Sequence, residues 1–267
     1  MFEAKPREQT MLRRRALMTM ALAQAGTQAV AAPPPLTLVP GTLKIGTYFV
    51  NPPFEFIQDG SRVGFEIDLM NDVARRLRLR PLYINTQWET ILQEMSEHRY
   101  DCIIGGITIT PGRERTLRWS SPYLTTTLSL IVNAARTPGI RQLADLRTAS
   151  VGVQAVTTDY DIAVKMQRDG EFGKIVVYPF DKISDAILDL EAGRITAVMK
   201  VAPVADYLVR QTPDLKIIAQ VPNDPQPLGI GFAKNGGALQ SALNAALASM
   251  KSDGTIARLM QHWGITG

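Results

Sequence analysis

An arginine that follows a Pro-Gly turn at the end of an apolar run is the residue of this chain best suited to hold an anion. In the segment TITPGR the turn at Pro111 and Gly112 presents the Arg113 guanidinium just beyond a strand. That group is planar and permanently charged, so it grips a carboxylate through two parallel hydrogen bonds and fixes its orientation. An ordinary solvated surface charge is the alternative use. Arg115, two positions on, is expected to face solvent. Upstream, Gly105, Gly106 and Thr108 end the same run, where missing side chains let a ligand approach the backbone. A bulge or a packing requirement is the alternative for Gly105.

A second polar group follows the strand-like VGVQ. Gln154 ends that strand, and Thr157 and Thr158 stand before an acidic helix. Threonines there cap the helix, and the same hydroxyl and N–H groups suit an anion at the positive end of the helix dipole. Trp88 follows the polar Asn-Thr-Gln at 85–87 and precedes Glu89, which suits a helix start at the mouth of a cleft. Tyr48 and Asn51 belong to the first loop, whereas Trp119 and Trp263 read as structural.

The elements that must position these residues follow from the hydrophobic period. A strand is expected over 43–47, a loop at Asn51-Pro52-Pro53, and a hairpin turn at Asp59-Gly60. From Glu66 the period lengthens: Ile67, Met70, Val73, Ala74 and Leu77 share one helical face opposite Arg75, Arg76 and Arg78. Strands at 81–85 and 102–109 enclose a helix at 88–96, the second strand being continuously apolar. After Tyr123 the alternation restarts, with strands at 128–132, 150–154, 174–178 and 196–199 and helices at 159–168 and 183–192. A strand at 228–233 and helices at 239–250 and 255–262 close the chain. Strands alternating with helices imply an α/β fold of mostly parallel sheets, and two units of about a hundred residues fit the length.

The 267 residues carry a net charge of +4, but Lys5, Arg7, Arg13, Arg14 and Arg15 against Glu3 and Glu8 place +3 of it before residue 33. The remainder, about +1, leaves a nucleic-acid role without an electrostatic footprint. The basic head precedes an uncharged, moderately apolar stretch ending in small residues, which reads as a secretory signal peptide over 1–32 cleaved near Ala31 or Ala32. Arg13-Arg14-Arg15 reads equally as a twin-arginine signal, and the prolines at 33–35 begin an extended linker to residue 41. No later window has the apolar length to span a membrane. Cys102 has no disulfide partner and reads as a small buried hydrophobe; with only His98 and His262 beside it, no metal site and no cofactor is expected.

Several phrases occur in a telling order: PPFEF, GFEIDLMNDVARRL, Trp88 to Leu92, GGITITPGRER, SSPY, LADL, VGVQAVTT, LEAGRITAV, LGIGFAKN and GTIARLMQHWG. From about residue 42 to 264 the chain thereby resembles the polar-amino-acid-binding family of periplasmic solute-binding proteins. The resemblance implies a two-lobed type II periplasmic-binding-protein fold with the ligand cleft between lobes. It implies a first lobe of 42–124 plus 228–267, a second of 129–223, and hinge crossings at 123–128 and 224–228. In that pattern Arg113 grips the ligand's α-carboxylate, although a glycine replaces the usual acidic residue before it. Backbone groups of Gly105 and Gly106, the Thr108 hydroxyl, and Thr157 and Thr158 bind the ligand, and Trp88 sets its ring against it. Val156 stands where a glycine is usual and is expected to narrow the cleft. Relatives that bind α-amino acids commonly place an aspartate where Val201 stands. Valine cannot compensate an ammonium, and Lys200 adds a positive charge. The ligand is therefore expected to lack an α-ammonium or to carry a second acid facing Lys200. A solvated Lys200, or an anion supplied by Glu55, Glu89 or Asp159, is the alternative.

The implied function is extracytoplasmic capture of an amino acid or related carboxylate by a monomer, and its delivery to the membrane permease of an ABC importer in the periplasm. Exported cyclohexadienyl dehydratases share the fold, so an enzyme acting on prephenate or arogenate is the rival, with Glu55, Glu89 and Lys200 as its nearby acid candidates. A receptor's sensor module is not expected, since no membrane or kinase segment follows residue 267.

Overall fold

In a computed structural model, which describes residue 1 and residues 36–266, the alternating periods become two five-stranded sheets. The expected signal peptide, its cleavage point and the first part of the linker lie outside the described residues.

The first sheet begins with β1 (Thr42–Thr47), buried at every position but Lys44. A meander follows, β2 (Val50–Asn51), β3 (Glu55–Gln58) and β4 (Ser61–Val63). Its turn at Asp59 and Gly60 has φ of 50° and 75°, as the hairpin signal requires. In α1 (Phe65–Arg76) the face of Phe65, Leu69, Met70 and Val73 is buried, with Glu66 and Asp68 in the first turn and Arg75 and Arg76 in the last. That charge order complements the helix dipole. Next come β5 (Arg80–Asn85), α2 (Trp88–Ser96) and β6 (Cys102–Ile103). Both β5 and β6 pair with β1 in parallel. Cys102 is a buried free thiol.

The strand expected over 102–109 keeps only its first two residues in a ladder. Gly106 adopts φ +60°, which turns the chain out of the sheet, and Thr108 returns as a single bridge to Leu228. The apolar run persists because Ile104 and Ile107 are fully buried in a loop. After it, α3 (Pro111–Glu114) makes one helical turn where a tight turn is expected, and β7 (Arg118–Trp119) follows.

The chain then crosses through β8 (Leu124–Thr126) into the second sheet, built from β9 (Leu128–Asn133), β10 (Ser150–Gln154), β11 (Lys174–Tyr178), β12 (Ala197–Val201) and β13 (Leu215–Gln220). Its helices are α4 (Thr158–Arg168), α5 (Ile183–Glu191) and α6 (Ala202–Gln211). The order is β11-β10-β12-β9-β13, parallel on the β10 side and antiparallel about β9. Periodicity does not announce α6 or β13. Pro203 in the first turn of α6 is tolerated because that turn has no intrahelical donor to lose, and only residues 202–205 of the helix are buried.

The return strand is divided. β14 (Gln226–Leu228) pairs antiparallel with β8, and β15 (Gly231–Phe232) enters the first sheet between β6 and β7. The single strand expected over 228–233 is therefore two, because one stretch serves two neighbours. Each sheet is thus parallel in part, and antiparallel about the returning β15 in the first and the entering β9 in the second. Finally α7 (Gly237–Ser252) and α8 (Thr255–Trp263) dock on α1. There Arg76 binds Asp72, Ser249 Oγ at 2.6 Å and Asp253 at 2.7 Å, and Trp263 Nε1 donates to Asp68 at 2.9 Å. No helix among the described residues is long and apolar enough to cross a membrane.

Between β10 and α4 the backbone of Val156 has φ 62°, with its side chain 60% exposed. A β-branched residue is strained there, by roughly 1–3 kcal/mol, while glycine adopts it freely at an entropic cost of about 0.5–1 kcal/mol. Val156→Gly is expected to raise the unfolding midpoint by about 2–4 °C in scanning calorimetry. A midpoint that stays or falls would show that the turn holds no such strain.

Candidate functional site

The residues with chemistry converge where strand ends of one sheet face helix and loop starts of the other. From the first sheet come the β1 exit (Tyr48, Asn51), the start of α2 (Trp88), the loop after β6 (Gly105, Gly106, Thr108) and Arg113 of α3. From the second come Thr157, Thr158 and Asp159 at the start of α4, Phe180 after β11, and Lys200 and Val201 ending β12. They enclose a cavity of about 30 Å³, room for about two water molecules. It is small because the two sides touch: Phe180 stacks on Trp88 with ring centres 5.3 Å apart, and Tyr48 meets both rings edge-on.

Arg113 lies in this gap. The Thr110 side chain caps α3 by accepting from Arg113 N, and Arg113 Nη1 donates to Thr108 O at 2.8 Å. Its guanidinium sits 5.0 Å from the centre of the Trp88 ring. Burial pushes its pKa down, with partial compensation from Tyr48, Asp161 and Asp159, yet a guanidinium remains charged. Among the described residues no carboxylate is within salt-bridge distance of it. The first-turn N–H groups of Thr158 and Asp159 have no acceptor within α4 and add a positive helix end to the same space.

Several expectations need correction. Lys200 is not solvated, and although it lines the cavity its ammonium is already engaged: it is 3% exposed, its Nζ lies 3.2 Å from Asp159 Oδ2, and it donates to Gln154 Oε1. Gln154 lies behind the cavity and holds Lys200 and, through Nε2, the Phe180 carbonyl. The Thr157 hydroxyl is occupied, accepting from Tyr160 N at 3.2 Å and donating to Gln154 O at 2.6 Å. The Gly106 N–H donates to Glu66 Oε1 at 2.8 Å, and the Gly105 carbonyl accepts from Tyr48 Oη. Those backbone groups are therefore structural, and a Cβ at Gly105 would stand 2.6 Å from the Tyr48 ring. The Thr108 hydroxyl donates to Gln226 Oε1 at 3.1 Å and lies 3.5 Å from that of Thr158 across the cleft. Val156 is not among the lining residues, so it does not narrow the cavity. Of the acid candidates, Glu55 is fully buried behind Asn51 and Glu89 lies on a neighbouring surface pocket. Sequence reasoning missed Phe180. Its signal is positional: Tyr48 directly follows β1, and Phe180 comes one proline after β11, both at strand ends that face the cleft.

Two mixed α/β sheets joined by crossing strands, with polar residues from both facing one gap, define a two-lobed ligand-binding protein of the type II periplasmic-binding class. The chain belongs to the bacterial extracellular solute-binding proteins, family 3, whose model matches residues 43–266. It is 27% identical over 226 residues to the ABC transporter arginine-binding protein 1 of Escherichia coli K12, covering 83% of this chain and 90% of that protein. It is 29% identical over 224 residues to the L-cystine-binding protein TcyJ of the same strain, covering 84% and 82%. Among solved structures, an ancestral arginine-binding protein bound to arginine superposes with a TM-score of 0.76 at 31% identity, over 84% of this chain and 98% of that one. An ancestral amino acid-binding protein, a precursor of cyclohexadienyl dehydratase, gives 0.74 at 28%, over 84% and 95%. These relatives are named as binding proteins; the dehydratase alternative gains no support from them.

Behind the cavity wall two fully buried carboxyls, Glu55 and Glu66, adjoin. Glu66 accepts from Gly106 N and Tyr123 Oη, so it is the better stabilised anion. Burial first, and then the Glu66 carboxylate, push the Glu55 pKa well up; burial also raises that of Glu66. Glu55 therefore holds the proton. A folded-state pKa above the unfolded value, about 4.3 for glutamate, means that the contribution to stability is complete below that pH. It declines as pH rises through the folded-state pKa. Glu55→Gln keeps a neutral group of similar shape. Its melting temperature is expected to match wild type near pH 4 and to exceed it progressively toward pH 8 in circular-dichroism melts; a pH-independent difference would refute the shared proton.

Proposed function

We propose that this protein is the solute-binding component of an ABC importer and binds an amino acid or related small carboxylate by closing two lobes on it. The observation that carries this reading is Arg113, a guanidinium in the gap between two sheets with a carbonyl and an indole face as neighbours. A cation so placed favours an incoming carboxylate, which Thr158 and the start of α4 meet from the other side. The named ligands of the relatives, arginine and cystine, support the amino-acid class. Val201 contributes no charge at the cavity, which within this class favours a carboxylate without an α-ammonium or with a second acid.

The lobes are 42–124 with 228–267, and 129–223, hinged at 123–128 and 224–228. The antiparallel pairing of β8 with β14 supports this, since both crossings then bend together. A cavity of about 30 Å³ is too small for an amino acid, so Trp88 and Phe180 separate for the ligand to enter. Ligand contacts from both lobes then restore a closed form. The ligand-binding set is Arg113, Thr108, Thr158, Trp88, Tyr48 and Asn51, with Gly105, Gly106, Thr157, Gln154 and Lys200 shaping it. The chain is exported by its 1–32 segment, works as a periplasmic monomer and delivers its ligand to the permease.

A charge-assisted hydrogen bond contributes about 1.5–3 kcal/mol, so Arg113→Ala is expected to weaken binding by about 10- to 150-fold. Titration calorimetry with amino acids and 2-oxo acids, on protein refolded free of solute, measures it. An affinity that does not change would sink the proposal.

A further inference from the structure

Three charged side chains line the cavity, Arg113, Lys200 and Asp159. Lys200 and Asp159 are 3% and 2% exposed, and their Nζ and Oδ2 atoms stand 3.2 Å apart, so their charges cancel within the wall. Asp161, the other carboxylate acting on Arg113, is exposed, and water screens it. The lining therefore carries one net positive charge, at Arg113. Among the described residues Asp159 is the sole lining carboxylate, and its partner is part of the protein. Lys200 is also held by Gln154 Oε1, whose own amide donates to the Phe180 carbonyl. A ligand ammonium entering this space can reach Asp159 only at Oδ1, with the aspartate charge already offset at Oδ2 by a doubly anchored lysine of the same sign as the newcomer. Sharing the carboxylate leaves one buried positive charge uncompensated, which is unfavourable.

Resting on the carboxylate reading above, we propose that Lys200 fills the role a ligand ammonium would otherwise take against Asp159. It is the specificity-determining residue that selects monoanionic carboxylates without an ammonium, such as 2-oxo and 2-hydroxy acids, over zwitterionic amino acids. Replacing Lys200 by an uncharged residue opens Asp159 to an ammonium and lowers the lining charge to zero. Neutralising both partners removes the pair and keeps the net charge of the native wall.

Matched pairs, each a 2-oxo acid and the amino acid with the same side chain, test this by calorimetry on refolded, solute-free protein. Wild type is expected to favour the oxo acid by about tenfold or more, and Lys200→Met to erase or invert that preference by a similar factor. The double variant Lys200→Met with Asp159→Asn is expected to favour the oxo acid again. It decides the question alone if the single variant fails to fold, because a zwitterion preference in it overturns the assignment. So does a folded Lys200→Met protein that keeps the wild-type preference within about twofold, or a wild type that binds zwitterions as tightly as oxo acids. Binding of both classes that depends on Arg113 while ignoring Lys200 sinks only this inference. A wild type indifferent to every carboxylate in the panel removes the underlying reading as well.

Discussion

A half-buried guanidinium with no carboxylate partner among the described residues is an unfinished interaction, and much of the local structure holds it so. Arg113 keeps its charge, and its neighbours satisfy it only in part: one carbonyl accepts a hydrogen bond and one indole face offers its quadrupole. Those neighbours depend on features further back. Thr108 is placed by the left-handed backbone at Gly106, whose N–H is fixed by Glu66, whose anionic form is stabilised by Tyr123. Trp88 is placed by the start of α2 and packed by Tyr48, which needs the absent side chain of Gly105. A chain of buried polar contacts thus runs from the carboxyl pair under the first sheet to the cleft.

The second sheet answers with a wall that is internally neutral. Asp159, Lys200 and Gln154 satisfy one another, and the start of α4 adds donors without a full charge. Pairing a buried lysine in this way avoids the penalty of an isolated ion but adds little to stability on balance, since both ions lose their water. The specificity role proposed for Lys200 accounts for such a pair better than stabilisation does.

The two walls meet through rings. Trp88, Tyr48 and Phe180 form an aromatic contact across the gap, with Arg113 over the Trp88 ring and Lys200 5.8 Å from the Phe180 ring centre. Stacked rings separate without leaving buried polar groups unpaired, which suits an interface that opens and closes. The crossing strands β8 and β14 pair antiparallel where the chain passes between the two sheets.

The return of the tail to the first sheet was legible only through the family resemblance, while the amino-acid sequence by itself determined the alternation of strands and helices and the local features around Arg113. These are local matters: a period of two or 3.6, a Pro-Gly turn before Arg113, threonines before a helix. Some positions were misread because local pattern carries no information on pairing. The apolar run after Cys102 looks like a strand because burial, not a ladder, makes it apolar, and 228–233 splits because two different strands claim its halves. Phe180 could not be placed in the cleft from its neighbours in the chain. Whether Lys200 faces water, a ligand or Asp159 was likewise decided only by tertiary structure. Its partner lies 41 residues away, and charges in a low-dielectric interior are governed by distance in space rather than in sequence.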